Sequence, residues 1–477
     1  MGGLVSRVVV FEFDAATWEV LTPLMEAGEL PNLSALKAEG ASGLLRSIIP
    51  RWSPALWTTI YSGKVRSKHG VEGFDATSES VRVKRLWDIA EQAGLKCGVF
   101  GTPVCWPPTD KCAFMIPDVL VDRGSETVPP EYSRLQDMYW ARRHSMLEYA
   151  RDLYDLWRIG VRTRHLSRMI WERLLLAARR SGTVEKYWRQ RLWWTAIHSD
   201  VFLRLYHQHQ PDLATFDYQA TDTIQHRYWH YYDPERFGIP LVKAEPYRDV
   251  LPASYREADR IVGEIRKAAG PDATLVVLSD HGGAPAEGLG QFIEARLEKW
   301  VATLGIGRAA TPIRLVGEYC LEFHDPSYLA ETQRTLEQVH MKESGQRLFR
   351  GFAQRDGHLM LYPIRDHIEG NTVVVPGHGE HPFEELFHRL DAEHSGVHHS
   401  DGMFIVAGPP IRAGVELEPG SILDVTPNLL VILGLSVAKD MDGRVWEPMF
   451  KPSFLAQSPI RFIETYETAQ CEEKGVL

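Results

Sequence analysis

An aspartate and a histidine stand side by side in Ser279-Asp280-His281-Gly282-Gly283, directly after the apolar run Leu275-Val276-Val277-Leu278. The run reads as a buried strand of an α/β sheet. It places both polar side chains at a strand's carboxyl end, where open α/β sheets bind their ligands. Aspartate and histidine are first-choice metal ligands, and the glycines let backbone or substrate approach closely. Taken alone, the stretch is equally a capped strand-to-helix turn, so its meaning depends on partners elsewhere.

Four other places offer such partners. The apolar strand Val8 to Phe13 ends in Asp14 and is followed by the small residues Ala15 and Ala16. Asp222 and His226 lie four apart at an expected helix start and share one face. That spacing suits a metal, although a helix-capping Asp with a surface His is the plainer reading. The cluster His394-Ser395-Gly396-Val397-His398-His399 precedes the apolar strand Met403 to Ala407, as a metal-binding group or as an exposed polar loop. Ser53, before Pro54, is placed as the N-cap of a helix. A hydroxyl there faces the positive dipole end, where a phosphate or a developing alkoxide is stabilised. His378, in Pro376-Gly377-His378-Gly379, is expected in a plain turn.

The elements that must position these residues follow an αβ alternation. Helices are expected over Trp18 to Glu29 and from Pro31 to Gly40, and an αβ unit from Arg85 to Pro108 with a short strand Cys97 to Phe100. The strand Leu213 to Tyr218 leads to Asp222, and a helix from Pro252 to Ala269 precedes the Asp280 strand. The expected catalytic core comprises residues 5–125, 207–304 and 386–451. A helical insertion over 126–206 is rich in Arg, Trp, Leu and Tyr; Arg142, Arg143, Arg179 and Arg180 in it are available to an anion or to solvent. Residues 305–385 read as a smaller α+β insertion with a helix near Leu329 to Val339, and 452–477 as a loosely attached tail.

Composition narrows the functions. A formal net charge of -10 gives no excess of cations to neutralise a long nucleic-acid backbone, which leaves small phosphorylated substrates allowed. The five cysteines are odd in number and form no C-x-x-C pair, which argues against a disulfide framework and for a reducing, cytoplasmic location. No run of eighteen apolar residues and no signal-peptide pattern are present. Met1 to Ser6 formally match the myristoylation pattern, which short sequences do by chance.

In this order the pieces resemble the alkaline phosphatase superfamily, in its type I phosphodiesterase and nucleotide pyrophosphatase branch. The resemblance rests on Phe13-Asp14, Pro31-Asn32-Leu33, Ser53-Pro54 with Ser62-Gly63 and His69-Gly70, Asp222 with His226, Ser279-Asp280-His281-Gly282, Gly396-Val397-His398, and Asp424-Val425-Thr426-Pro427. It implies a mostly parallel central sheet flanked by helices and two divalent metal ions. Asp14, Asp280, His281 and the Ser53 oxygen would surround one ion, and Asp222, His226 and His398 the other. His398 is preferred over His399 because it follows the Gly-x spacing. The mixed Asp/His set suits zinc, and manganese is compatible. Two departures stand out: the branch usually has Thr where this chain has Ser53, and often an Asn phosphate donor where this chain has Leu56. A donor from elsewhere, Arg51 or an insertion arginine, would then be needed.

A serine hydroxyl is too weak an acid to ionise near neutral pH and needs a base or metal to act as nucleophile. The resemblance therefore implies attack of Ser53 on phosphorus, a phosphoseryl intermediate and release by water. The expected activity is hydrolysis of phosphoric esters, with phosphodiesters or nucleotide pyrophosphates ahead of phosphomonoesters. Phosphonate hydrolysis and phosphoglycerate-mutase-like transfer are the enzyme alternatives, and a catalytically silent metal- or ligand-binding module the non-enzyme one.

Overall fold

The computed structural model describes residues 7–48, 51–71, 73–74, 76–119, 126–140, 146–178, 183–315, 318–355, 358–364 and 367–467. Met1 to Ser6 and the four insertion arginines singled out above lie outside the described residues.

Six strands carry the αβ alternation: β1 (Arg7–Phe13), β2 (Ala41–Arg46), β3 (Cys97–Phe100), β4 (Phe114–Ile116), β5 (Leu213–Tyr218) and β6 (Ala273–Leu278). With strands Asp401–Ala407 and Val415–Ser421 they form an eight-stranded sheet. Its order runs Val415–Ser421, β2, Asp401–Ala407, β6, β1, β5, β3, β4. All neighbours pair parallel except Asp401–Ala407, which runs antiparallel to both β2 and β6. Strands buried on both faces are mostly apolar, and β1, β5 and β6 are so apart from the buried Glu12, Thr215, Asp217 and Thr274. Because β5 and β6 lie on opposite sides of β1, the chain reverses direction of sheet growth at β1. That topological switch point leaves a crevice at the strands' carboxyl ends.

The chain divides into two compact units. The first comprises 1–225, 246–284 and 397–477, and the second 226–245 and 285–396. In the first, the helix Ser53–Ser62 is buried along its whole length, and its Thr58, Thr59 and Ser62 hydroxyls donate to the Pro54, Ala55 and Thr58 carbonyls one turn back, so no polar face needs solvent. Trp57 and Tyr61 from this helix pack with Trp87, Leu429 and Trp446 in one core. Pro54 tolerates the first turn because its missing N–H would have no partner there, and Gly63 ends the helix at φ 65. The insertion is helical, with helices Ser133–Trp140, Met146–Arg158, Thr163–Ala178 and Thr183–His209.

The second unit has its own core around Trp300, Phe349, Leu359 and Phe387. It contains a four-stranded antiparallel sheet of Ala310–Leu315, Glu318–Phe323, Phe349–Arg355 and His358–Pro363, with the helix Leu329–Glu337. Among the described residues no helix is long and apolar enough to cross a membrane.

Two local expectations change. The stretch after His281 continues as a strand, Gly282–Ala295, rather than as a helix. The supposed tail carries the helix Pro452–Gln457 and the strand Phe462–Ile463, which pairs with Val437–Ala438. Glu467 also reaches the buried Lys64 ammonium at 2.9 Å, so this segment is tied down as far as it is described.

Candidate metal and active site

Strand β1 delivers Asp14 to the crevice, and the backbone turns at once through Ala15, whose φ of 59 is left-handed. A non-glycine residue in that region stores strain, and such strain collects at functional sites. The Ala15 carbonyl is held by the Gln225 amide at 2.8 Å. Asp280 and His281 follow β6, and Ser279 fixes their approach: its hydroxyl donates to the Ala16 carbonyl at 3.1 Å and accepts from the Met403 N–H at 2.7 Å. A Cβ on Gly282 would stand 2.0 Å from the Asp401 carbonyl, so only glycine lets the strands close behind His281.

As a result Asp14, Asp280 and His281 offer ligand atoms within 4.8 Å of one another, all buried. His281 Nε2 is 3.6 Å from Asp14 Oδ1 and 3.7 Å from Asp280 Oδ2, too far for hydrogen bonds. Asp14 Oδ1, both Asp280 carboxylate oxygens and His281 Nε2 are buried with no hydrogen-bond partner. Buried polar atoms left in this way are costly, and a cation is the group that would satisfy all of them together.

Asp222 and His226 lie one turn apart on the helix Ala220–Tyr232, and with His398 they form a second, half-buried candidate group. His398 Nε2 approaches Asp222 Oδ1 at 3.2 Å. The His281 and His398 rings stack with centroids 3.8 Å apart. His399, by contrast, is exposed, and its Nδ1 accepts from the Asp401 N–H at 3.1 Å. His378 is exposed in its turn.

All three histidines share one hydrogen-bond arrangement. Nδ1–H donates to a backbone carbonyl in each: His281 to Gly282 at 3.1 Å, His226 to Gly396 at 2.7 Å, His398 to Arg51 at 3.1 Å. A carbonyl can only accept, so Nδ1 carries a proton in each ring. An imidazole held through Nδ1–H in this way is oriented to coordinate a metal through Nε2.

The electrostatics match. Burial, then the charges of Asp280 and Asp222, hold the Asp14 carboxyl well above the usual carboxylate range. Burial also lowers the His281 imidazole. A bound dication would reverse the first effect and exploit the second, since it needs an anionic carboxylate and a neutral imidazole.

Ser53 is the first residue of its helix, one position later than a cap; Trp52 holds the cap position and makes no side-chain capping bond. Ser53 is a buried residue whose hydroxyl is thus not consumed in capping. Leu56 is buried in the core and supplies no donor. Arg51, whose carbonyl holds His398, has a buried Nε without a partner.

Glu12 escaped the sequence reading. It lies beneath Asp14, where its carboxylate accepts from the Tyr61 and Thr102 hydroxyls at 2.6 Å each. Burial pushes it up to about 8. The available signal was a carboxylate inside an otherwise apolar strand, which is disfavoured unless it is hydrogen-bonded. His394, named in the sequence only as part of its histidine cluster, is buried and stacks on His226 with ring centroids 5.4 Å apart.

The chain matches the profile of the family described as type I phosphodiesterase / nucleotide pyrophosphatase over residues 8–359. Solved structures similar to it are those of human and murine ectonucleotide pyrophosphatase/phosphodiesterase 5, each 12% identical. Each comparison has a TM-score of 0.47 and covers 93% of this chain and 100% of the other. No match is found among curated proteins. With the profile spanning most of the chain, the protein belongs to the type I phosphodiesterase/nucleotide pyrophosphatase family and is a phosphoric ester hydrolase.

Proposed function

We propose that the protein hydrolyses phosphodiesters with Ser53 as nucleophile at a site for two divalent cations. The observation that carries this reading is the set of buried Asp14 and Asp280 carboxylate oxygens and the His281 Nε2 left without partners, beside three histidines that each donate Nδ1–H to a backbone carbonyl. Asp14, Asp280 and His281 would hold one cation, together with the Ser53 oxygen, and Asp222, His226 and His398 the other. Zinc is the first choice for this donor set and manganese the second. When bound, the cations supply Lewis acidity that eases ionisation of a hydroxyl and offsets phosphoryl charge.

The remaining work belongs to the chain. Ser53 Oγ forms a bond to phosphorus while the ester oxygen leaves in line and takes up a proton. Water then attacks the phosphoserine, Ser53 regains its proton, and a phosphomonoester is released. Arg51 serves as the phosphate donor in place of the missing Asn, its guanidinium matching two phosphoryl oxygens. The strained turn at Ala15 holds Asp14 toward the crevice. Small phosphorylated molecules fit the family and the acidic net charge. Three buried free cysteines, Cys97, Cys105 and Cys112, accord with a reducing, cytoplasmic location.

The test compares bis(4-nitrophenyl) phosphate with 4-nitrophenyl phosphate, with added zinc or manganese, for wild type and Ser53→Ala. Metal-dependent release that disappears in the variant supports the mechanism, and the ratio of substrates decides diester against monoester. Turnover that survives Ser53→Ala would remove the serine from its role.

A further inference from the structure

The insertion helices Met146–Arg158 and Thr163–Ala178 sort their residues by face. Leu156, Leu166 and Leu176 are buried, as in any helix packed on one side. Three of the four acids turn inward with them: Asp152 and Asp155 pair with Arg134, and Glu172 accepts from the Trp193 indole. The outward face keeps what a globular surface usually hides. Tyr154, Trp157, Trp171 and Leu174 are 60%, 55%, 67% and 61% exposed, four of the nine large hydrophobic side chains exposed among the described residues. The Tyr154 and Trp157 rings lie together, with centroids 6.0 Å apart. Between these side chains stand exposed arginines: Arg151 and Arg158 on the first helix, and Arg164, Arg168 and Arg173 on the second. Arg164 and Arg168 reach Glu264 and Glu172 yet stay more than half exposed. Arg173 lies over the Tyr149 ring at 4.5 Å, and it, Arg151 and Arg158 make no ion pair among the described residues. Glu148, in the first turn, is the one exposed acid described on either helix. Over residues 126–206 the chain carries 15 Lys and Arg against 9 Asp and Glu, in a protein whose net charge is -10.

The composition of this face selects what covers it. A second copy joined through the same face would set arginine against arginine, since the face holds a single acid. An apolar groove on a protein would satisfy the rings and leave the guanidinium groups dry and unpaired. A layer of lipid headgroups meets both demands. Indole and phenol rings settle at the boundary between headgroups and acyl chains, arginine stems lie along the same depth, and guanidinium groups bond phosphate pairwise. Anionic lipids add attraction that reaches only about 8 Å at physiological ionic strength, so it responds to these local arginines rather than to the net charge of the chain.

We propose that the outward faces of the helices Met146–Arg158 and Thr163–Ala178 dock the protein peripherally on an anionic lipid surface, with Trp157 and Trp171 set among the headgroups. The helices lie on the surface and do not cross it. The docking gives the helical insertion a role of its own. It depends on neither Ser53 nor the cations, so its test needs no turnover.

The full chain is sedimented with vesicles of phosphatidylcholine alone or of phosphatidylcholine with about 30% phosphatidylserine. Partition onto the anionic vesicles is expected to be at least about tenfold stronger, and to fall about tenfold when salt is raised from about 0.1 M to about 0.5 M. Trp157→Ala combined with Trp171→Ala, and separately Arg151→Glu combined with Arg158→Glu, should each weaken it about tenfold. Leu241→Ala with Val242→Ala, an exposed apolar pair elsewhere in the chain, should leave it unchanged. Tryptophan emission of the wild type should also be quenched by lipids brominated on the acyl chain. No binding to anionic vesicles, equal binding to both kinds, or binding that either pair of variants on the insertion leaves intact would overturn the docking. Absence of quenching overturns it whatever the stability of the variants. Self-association that the tryptophan changes abolish, without vesicle binding, would give the face to a second copy instead.

Discussion

The two candidate ligand groups differ in how they are built. Asp14, Asp280 and His281 sit at the ends of neighbouring strands with exposures of 3%, 0% and 0%, whereas Asp222, His226 and His398 are half-buried on a helix and a strand end. The first group is held rigidly by the sheet and carries uncompensated buried polar atoms. The second is partly screened by solvent. On the two-cation proposal, rigid burial would let the first group gain more from a cation and release it more slowly than the second. Similar residue types in one crevice would then divide into a resident and a labile position.

Ser53→Ala should lower turnover by at least about 10⁴-fold while leaving both sites able to take metal, read by steady-state kinetics and by metal content. Asp280→Asn should cost about 10³-fold in activity and one tightly held metal per chain. In the metal-free protein the same change should raise the melting temperature, because it removes a charge from a fully buried position. A lower metal-free melting temperature would contradict the account of that group as electrostatically costly.

His398→Ala should reduce activity by about 10²-fold and weaken the more readily exchanged metal, while His399→Ala should stay within about threefold of wild type. Equal losses at the two positions would erase the distinction that the geometry draws between neighbouring imidazoles. Stepwise chelation gives a direct reading: the first metal lost should be the one whose loss His398→Ala hastens. Arg51→Lys should lower kcat with a smaller effect on KM, since a single ammonium cannot make the paired contacts of a guanidinium.

The smallest effect comes from a buried imidazole outside both groups, which supplies a baseline for burial without carboxylates. Burial lowers His198 from its ordinary 6.5 to about 4. Below pH 6.5 the unfolded chain takes up a proton that the folded chain refuses until about pH 4. Stability therefore falls with decreasing pH across that window, by about 2 kcal/mol between pH 7 and pH 5. His198→Phe should remove that share of the pH dependence, as measured by denaturant midpoints at the two pH values.

Much of this arrangement was legible in the chain. An aspartate terminating an apolar run marks a strand end, because such a run must be buried and a carboxylate must not be, unless it is compensated. That logic located Asp14 and Asp280. The four-residue spacing placed Asp222 and His226 on one helix face. The same local reasoning misplaced Ser53 by one position, since a Pro at the next residue fits either the N-cap or the first turn. It also treated Glu12 as an ordinary strand residue, because the Tyr61 and Thr102 hydroxyls that satisfy it lie 49 and 90 residues away.

Local periodicity and solvation set the kinds of elements, the apolar faces that they bury and the polar residues stranded at their ends, and all of these can be read along the chain. Tertiary structure alone decided which stranded residues meet. It set β5 and β6 on either side of β1, turned His398 toward Asp222 while leaving His399 exposed, and laid the insertion over Asp217. Those outcomes depend on strand order and on contacts between residues far apart in the chain, and no local pattern encodes them.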